Sequence, residues 1–308
     1  MKFLISGGAG FLGSHIADAL INEGNDVVIV DDLSTSKDTS NVPESAVFVE
    51  KDISDYDSPE HFDVLMHLAA HPSPEDYTIN PVKTLLSNSM GTKTVLDMAK
   101  RDNAMLIYTS SSEVYGEASK IPTPEDYWGF VNPNGIRSCY DEGKRFSEAL
   151  IMAYHREYML DTRIERPFNV YGPRIRADSV YGRVVPRFIS QALGNEDITI
   201  HGDGNQTRSF LYVDDWVDAT MKMIKTKDIG GSVFNIGSTV EITVNELAER
   251  VKDLANSSSK IIHERARDDD PRRRCANIKK ARDALGWQPM TKLDDGLLKT
   301  IEWFGGGR

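Results

Sequence analysis

Cysteine is nearly missing from this chain: there are two in 308 residues, Cys139 and Cys275. Thiols so far apart give no zinc-ligand spacing and no disulfide framework, so no metal is expected and a reducing, cytoplasmic setting is. Long apolar runs are missing too. Met1–Ile5 meets glycine almost at once, too early for a signal peptide and far short of the roughly 20 residues of a membrane span. Positive charge is in deficit: 36 Lys and Arg stand against 47 Asp and Glu, a net charge of −11. Such a surface repels nucleic acid and anionic membranes, so neither is expected as a partner. Any anionic ligand must be met by locally placed Arg, Lys or backbone N–H groups. Internal repeats and low-complexity linkers are also absent.

What is present is ordinary globular composition, 40% hydrophobic and 27% charged. Short apolar runs alternate with helical patterns through the first half. Lys2–Ser6, Val27–Asp31, Ala46–Val49, Asp63–Leu68 and Ala104–Thr109 read as strands. Gly13–Asn22, Pro81–Arg101 and Tyr140–Tyr158 read as helices. That order implies βαβ units, hence an α/β, doubly wound parallel sheet of the Rossmann type. After Pro167 turn signals crowd in: Asn169, Gly172-Pro173, Gly182 and Gly202-Asp203-Gly204. The expected division is a dinucleotide-binding domain over 1–166 and a smaller, mixed lobe over 167–308. Segments within about 207–240, such as Phe210–Val213 and Ser232–Ile236, are expected to return to the main sheet. Thr243–Leu254 reads as a helix with Thr243 as N-cap and Glu246 closing a capping box.

Glycines at 7, 10 and 13 follow the first strand and open the first helix. The first allows a tight turn, the second lets backbone approach a pyrophosphate, and the third lets helix pack on strand. The helix N-terminus then offers free N–H groups to phosphates. Spaced glycines alone are weak evidence; here a second strand ends on Asp31-Asp32 at the interval the dinucleotide fingerprint requires. Asp31 is placed for an adenosine ribose, and its charge repels a 2′-phosphate, which favours NAD over NADP.

Tyr140 and Lys144 are four apart, on one helix face. A nearby ammonium favours the phenolate and makes tyrosine a usable base. The pair alone is a common accident. Ser110-Ser111-Ser112 at the end of an apolar strand supplies the hydroxyl that completes a Ser/Tyr/Lys set, at the strand ends where ligands bind such sheets.

Together these residues, with His67-Leu68-Ala69-Ala70 and Arg166–Pro173, resemble the extended short-chain dehydrogenases that act on nucleotide sugars. Within that group, Glu125–Pro133, Arg137–Arg145, Ser112–Gly116, Gly182–Val185, Gly202–Phe210, Asp269–Arg274 and Leu285-Gly286-Trp287 are similar to the UDP-glucuronate decarboxylases. The resemblance implies NAD contacts at Gly7, Gly10, Phe11, Leu12, Gly13, Asp31 and Asp32. It implies others at Asp52, Ile53, Leu68, Ala69 and Ala70, with Lys144 on the nicotinamide ribose. Ser111, Ser112, Glu113, Tyr140, Lys144 and Arg208 are the implied catalytic set. Tyr77, Asn169, Val185, Arg208 and Arg274 are the implied substrate contacts. Serine at 111 replaces the usual threonine, Ala70-His71-Pro72 replaces Ser-Pro-Ala, and Cys275-Ala276-Asn277 replaces a more charged run.

The implied reaction takes UDP-glucuronate to UDP-xylose by oxidation at C4″, loss of CO2 and re-reduction. A nucleotide-sugar 4-epimerase shares the first step and is the alternative; epimerases of this group usually carry a small or apolar residue at the place of Glu113. Dehydratases carry Asp where Ser112 stands. A sensor that has lost catalysis would lack the Ser/Tyr/Lys set. Family members commonly dimerise through a four-helix contact, which Thr84–Arg101 and Tyr140–Tyr158 would supply here.

Overall fold

The computed structural model describes residues 1–177, 183–266 and 272–306, with the side chains of 74–76 outside that description. Gly182 and Asp269–Pro271, both part of the resemblance, lie outside the described residues. In chain order the first elements are β1 (Lys2–Ser6), α1 (Phe11–Asn22), β2 (Asp26–Asp31), β3 (Val47–Glu50), β4 (Val64–His67) and α2 (Pro74–Ile79). Then come α3 (Pro81–Asp102), β5 (Met105–Thr109), α4 (Ser138–Tyr158) and β6 (Thr162–Pro167). The strands and helices predicted for this stretch appear within two residues of their expected bounds.

Burial explains why these runs are strands. Phe3, Leu4 and Ile5 are all buried, as are Val27–Val30. Continuous rather than alternating burial marks parallel strands covered on both faces. The large sheet has the order Ser232–Ile236, β6, β5, β4, β1, β2, β3. Each pairing from β3 through to β6 is parallel. Strand order reverses at β1, whose Ser6 is level with Val30 on one side and His67 on the other. Ligands bind at such a switch point, beyond the strand C-termini.

Leu4, Val30, Leu65, Leu106 and Ile164 of the sheet pack with Val95, Leu96 and Ala99 of α3 and Ile151 of α4. Full burial of each large side chain contributes about 1.5–3 kcal/mol. The helix α3 starts with Pro81 in its first turn and stops at Asn103, which is left-handed. Lys100 and Arg101 in its last turn suit the helix dipole.

The chain forms two compact units. One comprises Met1–Val114, Val131–Pro167 and Val217–Phe234; the other Tyr115–Phe130, Phe168–Trp216 and Asn235–Arg308. Ser232–Ile236 joins the large sheet beside β6, as expected. Phe210–Val213 does not. Leu211–Tyr212 pairs with Val170–Tyr171 in a separate two-stranded sheet. The reason is aromatic packing: Phe210 and Tyr212 both meet Tyr171 edge-on, and such contacts outweigh two ladder positions.

Elsewhere in the second unit, the helix Val244–Leu254 carries its predicted capping box: Glu246 N–H donates to Thr243 Oγ1 at 3.1 Å and Thr243 N–H to Glu246 Oε2 at 2.8 Å. Asp215 staples the C-terminal segment by accepting from the N–H groups of Met290 and Thr291, each at 3.0 Å. Trp287 is fully buried and donates to the Asp215 carbonyl at 2.9 Å.

Candidate active site

The edge beyond β1 is built by glycines that no other residue could replace. Gly7 has φ +77°, and its N–H donates to the Val30 carbonyl at 2.9 Å. A Cβ on Gly7 would lie 2.6 Å from the Ala69 nitrogen, and one on Gly13 would lie 2.2 Å from the Gly7 carbonyl oxygen. Gly10 caps α1 without a side-chain hydrogen bond, and no acid stands in the first turn that Phe11 and Leu12 begin. The N–H groups there are thus left to a ligand, and a phosphate fits them. This cradle and open helix end fit NAD.

Asp31 ties that loop to β2. Its carboxylate accepts from Leu33 N–H at 2.9 Å and Ala9 N–H at 3.1 Å. Burial pushes its pKa up, and these two bonds work against the rise. Asp32 is turned to Ser34 and Lys83, with Lys83 Nζ at 3.1 Å. Burial opposes its ionisation, but the Ser34 and Lys83 bonds win and lower its pKa. Asp52 caps the turn Ile53–Asp55 by accepting from Ser54 N–H at 2.8 Å. Ile53 is buried in the core, against Gly91. Leu68 N–H donates to Ser6 at 3.0 Å, Ala69 abuts Gly7, and Ala70 packs on Tyr77, Cys139 and Tyr140.

The helix α4 brings Tyr140 and Lys144 to the same strand ends. Lys144 is 2% exposed, and its Nζ donates to the Thr109 carbonyl at 2.8 Å. Burial pushes its pKa down to about 7, while Glu148 and Glu165 pull the other way. The ammonium stands 4.8 Å from the Tyr108 ring centre and 6.0 Å from that of Tyr140. Tyr140 stacks on Tyr77 with centroids 5.9 Å apart.

Among the three serines the structure discriminates. Ser110 donates to Glu148 Oε1 at 2.5 Å, and Arg166 holds the same carboxylate, so Ser110 is a structural tie. Ser111 Oγ accepts from Glu113 N–H at 3.2 Å, which leaves its own O–H to donate. Ser112 is buried and opens the turn Ser112–Tyr115. Glu113 forms an ion pair with Arg137.

Two features escape sequence reasoning. Arg137 is one. The other is a buried polar chain joining β1, β4, α3 and α4. Ser6 Oγ lies 2.6 Å from His67 Nδ1, His67 Nε2 lies 3.1 Å from Thr92 Oγ1, and Thr92 Oγ1 lies 2.9 Å from Ser147 Oγ. Burial, helped by Lys144, pushes the His67 pKa down to about 3, so the ring is neutral. The available signal was helical: Tyr140, Lys144 and Ser147 share one face of α4, with Asn88 and Thr92 on one face of α3.

The second unit holds the remaining residues. Arg208 and Arg274 are level in a parallel pairing of Thr207–Ser209 with Arg273–Arg274, so their side chains share a face, and both are buried. Two adjacent guanidiniums suit an anion. Asn169 has φ +43° and donates from Nδ2 to the Ser209 carbonyl at 3.0 Å. Ser209 Oγ in turn lies 3.4 Å from the Arg274 carbonyl. Val185 is buried in the first turn of the helix Val184–Leu193. Tyr77, on α2, belongs with Tyr140 in the first unit. Among the described residues no His, Cys, Asp and Glu cluster could hold a metal, and no helix is long and apolar enough to cross a membrane.

A parallel sheet with a glycine cradle at its switch point and a Tyr/Lys helix beside it defines a nicotinamide-dependent enzyme class. Residues 3–237 match the NAD dependent epimerase/dehydratase family, and the chain belongs to it. It is 47% identical over 303 residues to UDP-glucuronic acid decarboxylase 5 of Arabidopsis thaliana, covering 96% of this chain and 87% of that one. It is 41% identical over 307 residues to UDP-glucuronic acid decarboxylase 1 of Danio rerio, covering 98% and 72%. Among solved structures, the UDP-glucose 4-epimerase of Thermotoga maritima with UDP-glucose superposes with a TM-score of 0.93 at 32% identity, covering 100% and 99%. The UDP-glucuronic acid 4-epimerase of Bacillus cereus, in complex with UDP-glucuronic acid and NAD, gives 0.88 at 30%, covering 100% of both.

Gly13→Ala drives a methyl into backbone, so it is expected to cost about 1–3 kcal/mol and to abolish NAD binding. Thermal unfolding with and without NAD checks this; a variant still stabilised by NAD contradicts it. The histidine makes a second prediction. His67 takes up a proton near its ordinary 6.5 when unfolded but only near 3 when folded. Its contribution to stability is therefore whole above about pH 6.5 and is lost as pH falls toward 3, at up to about 1.4 kcal/mol per pH unit. Urea unfolding between about pH 7 and pH 5 should show a shallower decline in His67→Gln than in the parent. Equal slopes would exclude the mechanism.

Proposed function

We propose that this chain decarboxylates UDP-glucuronate to UDP-xylose, with NAD retained through each turnover. Similarity to decarboxylases over nearly the whole chain supports the reading. The observation that carries it beyond the family is Glu113. An ionisable group is built in at the end of β5, two residues past Ser111, where a 4-epimerase of this group usually has a small or apolar residue. The likeness of the solved 4-epimerases keeps epimerisation as the second reading.

NAD, when bound, accepts hydride from C4″ and returns it. Everything else falls to the chain. The glycine cradle at Gly7, Gly10 and Gly13 and the N–H groups of Phe11 and Leu12 take the pyrophosphate, and Asp31 takes the adenosine ribose. Lys144, tied to the Thr109 carbonyl, supplies the positive charge that makes the Tyr140 phenol a base for the C4″ hydroxyl. A ketone at C4″ is β to the carboxylate, so loss of CO2 leaves an enolate rather than a bare carbanion. Tyr140 and Ser111 donate to the oxygen as that charge develops. Glu113 serves proton delivery to C5″, beside Ser112 and Tyr77. Arg208, Arg274 and Asn169 hold the diphosphate, and Val185 packs on the nucleotide.

Val82, Leu85, Leu86 and Met90 on α3 and Phe146 on α4 are exposed apolar groups, which favours a homodimer through α3 and α4. Both cysteines are free and buried, which suits a reducing cytoplasm.

Incubation with UDP-glucuronate and NAD should yield CO2 and a UDP-pentose, and Tyr140→Phe should lower kcat by about 10²–10⁴-fold. Formation of UDP-galacturonate instead, or turnover of UDP-glucose alone, overturns the decarboxylase reading. Light scattering should find a dimer for the parent and a monomer for Leu86→Glu; a monomeric parent removes the dimer proposal.

A further inference from the structure

Arg137 breaks a local rule. It stands at the N-cap of α4 without capping it, and a cation there opposes the helix dipole. Its carbonyl accepts from the N–H groups of Tyr140 and Asp141, each at 3.0 Å, so its backbone is rigidly joined to the catalytic helix. Its guanidinium turns back to pair with Glu113 and lies 3.8 Å from Asp141 Oδ2. Both members of the Arg137–Glu113 pair are less than one quarter exposed. Glu113 is fixed from the other side as well, through its N–H on Ser111 Oγ at 3.2 Å. Two turns along α4, Arg145 donates to the Val114 carbonyl at 2.9 Å and pins the same segment. Burial pushes the Tyr77 phenol well up; Arg137, Glu113, Asp141 and Tyr140 all act on it, which gathers the five groups into one cluster.

Local rules are broken at functional sites when something else is gained. Here the gain is a defined carboxylate. We propose that Arg137 is a positioning residue that holds Glu113 in one rotamer, as a carboxylate, so that Glu113 orients the water that protonates C5″. The inference rests on the decarboxylase reading. In that step the electron pair of the broken C–C bond stays on the sugar as the enolate. C5″ takes one proton from the oriented water, and solvent neutralises the hydroxide left behind. Glu113 itself neither gains nor loses a proton overall. A carboxylate released from Arg137 leaves the enolate waiting, and the keto sugar escapes before hydride returns.

The readout is UDP-pentose formed per CO2 released. The parent should give about one, since each CO2 lost is matched by one completed reduction. Arg137→Met should lower the ratio several-fold, with UDP-4-ketopentose and NADH left over, and kcat down roughly 10–100-fold. KM should stay within about threefold, and Arg137→Lys should recover most of the ratio. Adding Arg137→Met to Glu113→Gln should bring no further loss, because the two act as one unit. If Arg137→Met unfolds, Arg137→Gln takes its place. A parent-like ratio in the neutral variant, or multiplying losses in the double variant, overturns the positioning role while leaving the decarboxylase reading intact. A parent that releases no CO2 overturns both.

Discussion

The interaction on which the first unit depends is the burial of one ammonium. Lys144 sits inside, its Nζ on the Thr109 carbonyl. An isolated charge there would be prohibitively costly, so the surroundings are organised to keep it. Glu148 and Glu165 both favour the charged form. Each carboxylate is itself held: Glu148 by Ser110 and Arg166, Glu165 by Thr109 and Thr220. Strand β5, strand β6 and helix α4 are thereby locked in one register. Tyr140, one turn before Lys144 on that helix, inherits its place from the lock.

The polar chain from Ser6 through His67 and Thr92 to Ser147 does the same work between β1, β4, α3 and α4. It joins the strand that feeds the glycine cradle to the helix that carries the proposed base. A neutral histidine can donate at one nitrogen and accept at the other, which suits a position between two hydroxyls. The cofactor edge and the Tyr/Lys face are therefore one construction: moving β1 moves Gly7, and moving His67 moves Ser147.

Much of this was legible because it is local. The spacing of Gly7, Gly10 and Gly13, the Tyr140/Lys144 interval and the Thr243/Glu246 box each lie within a turn or two of chain, and each appears in the structure as expected. Ser110, Ser111 and Ser112 were equivalent on composition; their separate bonding depends on Glu148 and Arg166, which only the fold brings near. His67 and Arg137 were visible as letters inside recognised runs, but their partners come from other elements. Phe210–Val213 was misplaced because a two-residue strand carries no periodicity, and aromatic packing on Tyr171 decides its pairing. Where Gly182 and Asp269–Pro271 stand is outside the described residues, so their likeness rests on sequence alone.

With NAD bound, the chain takes hydride from C4″ and returns it to the same carbon, with decarboxylation between. UDP-glucuronate carrying deuterium at C4″ tests this most directly. The UDP-pentose should keep the deuterium at C4″, with none appearing in solvent. A pentose that has lost the label, or CO2 release with no NADH formed at any point in the turnover, would contradict it.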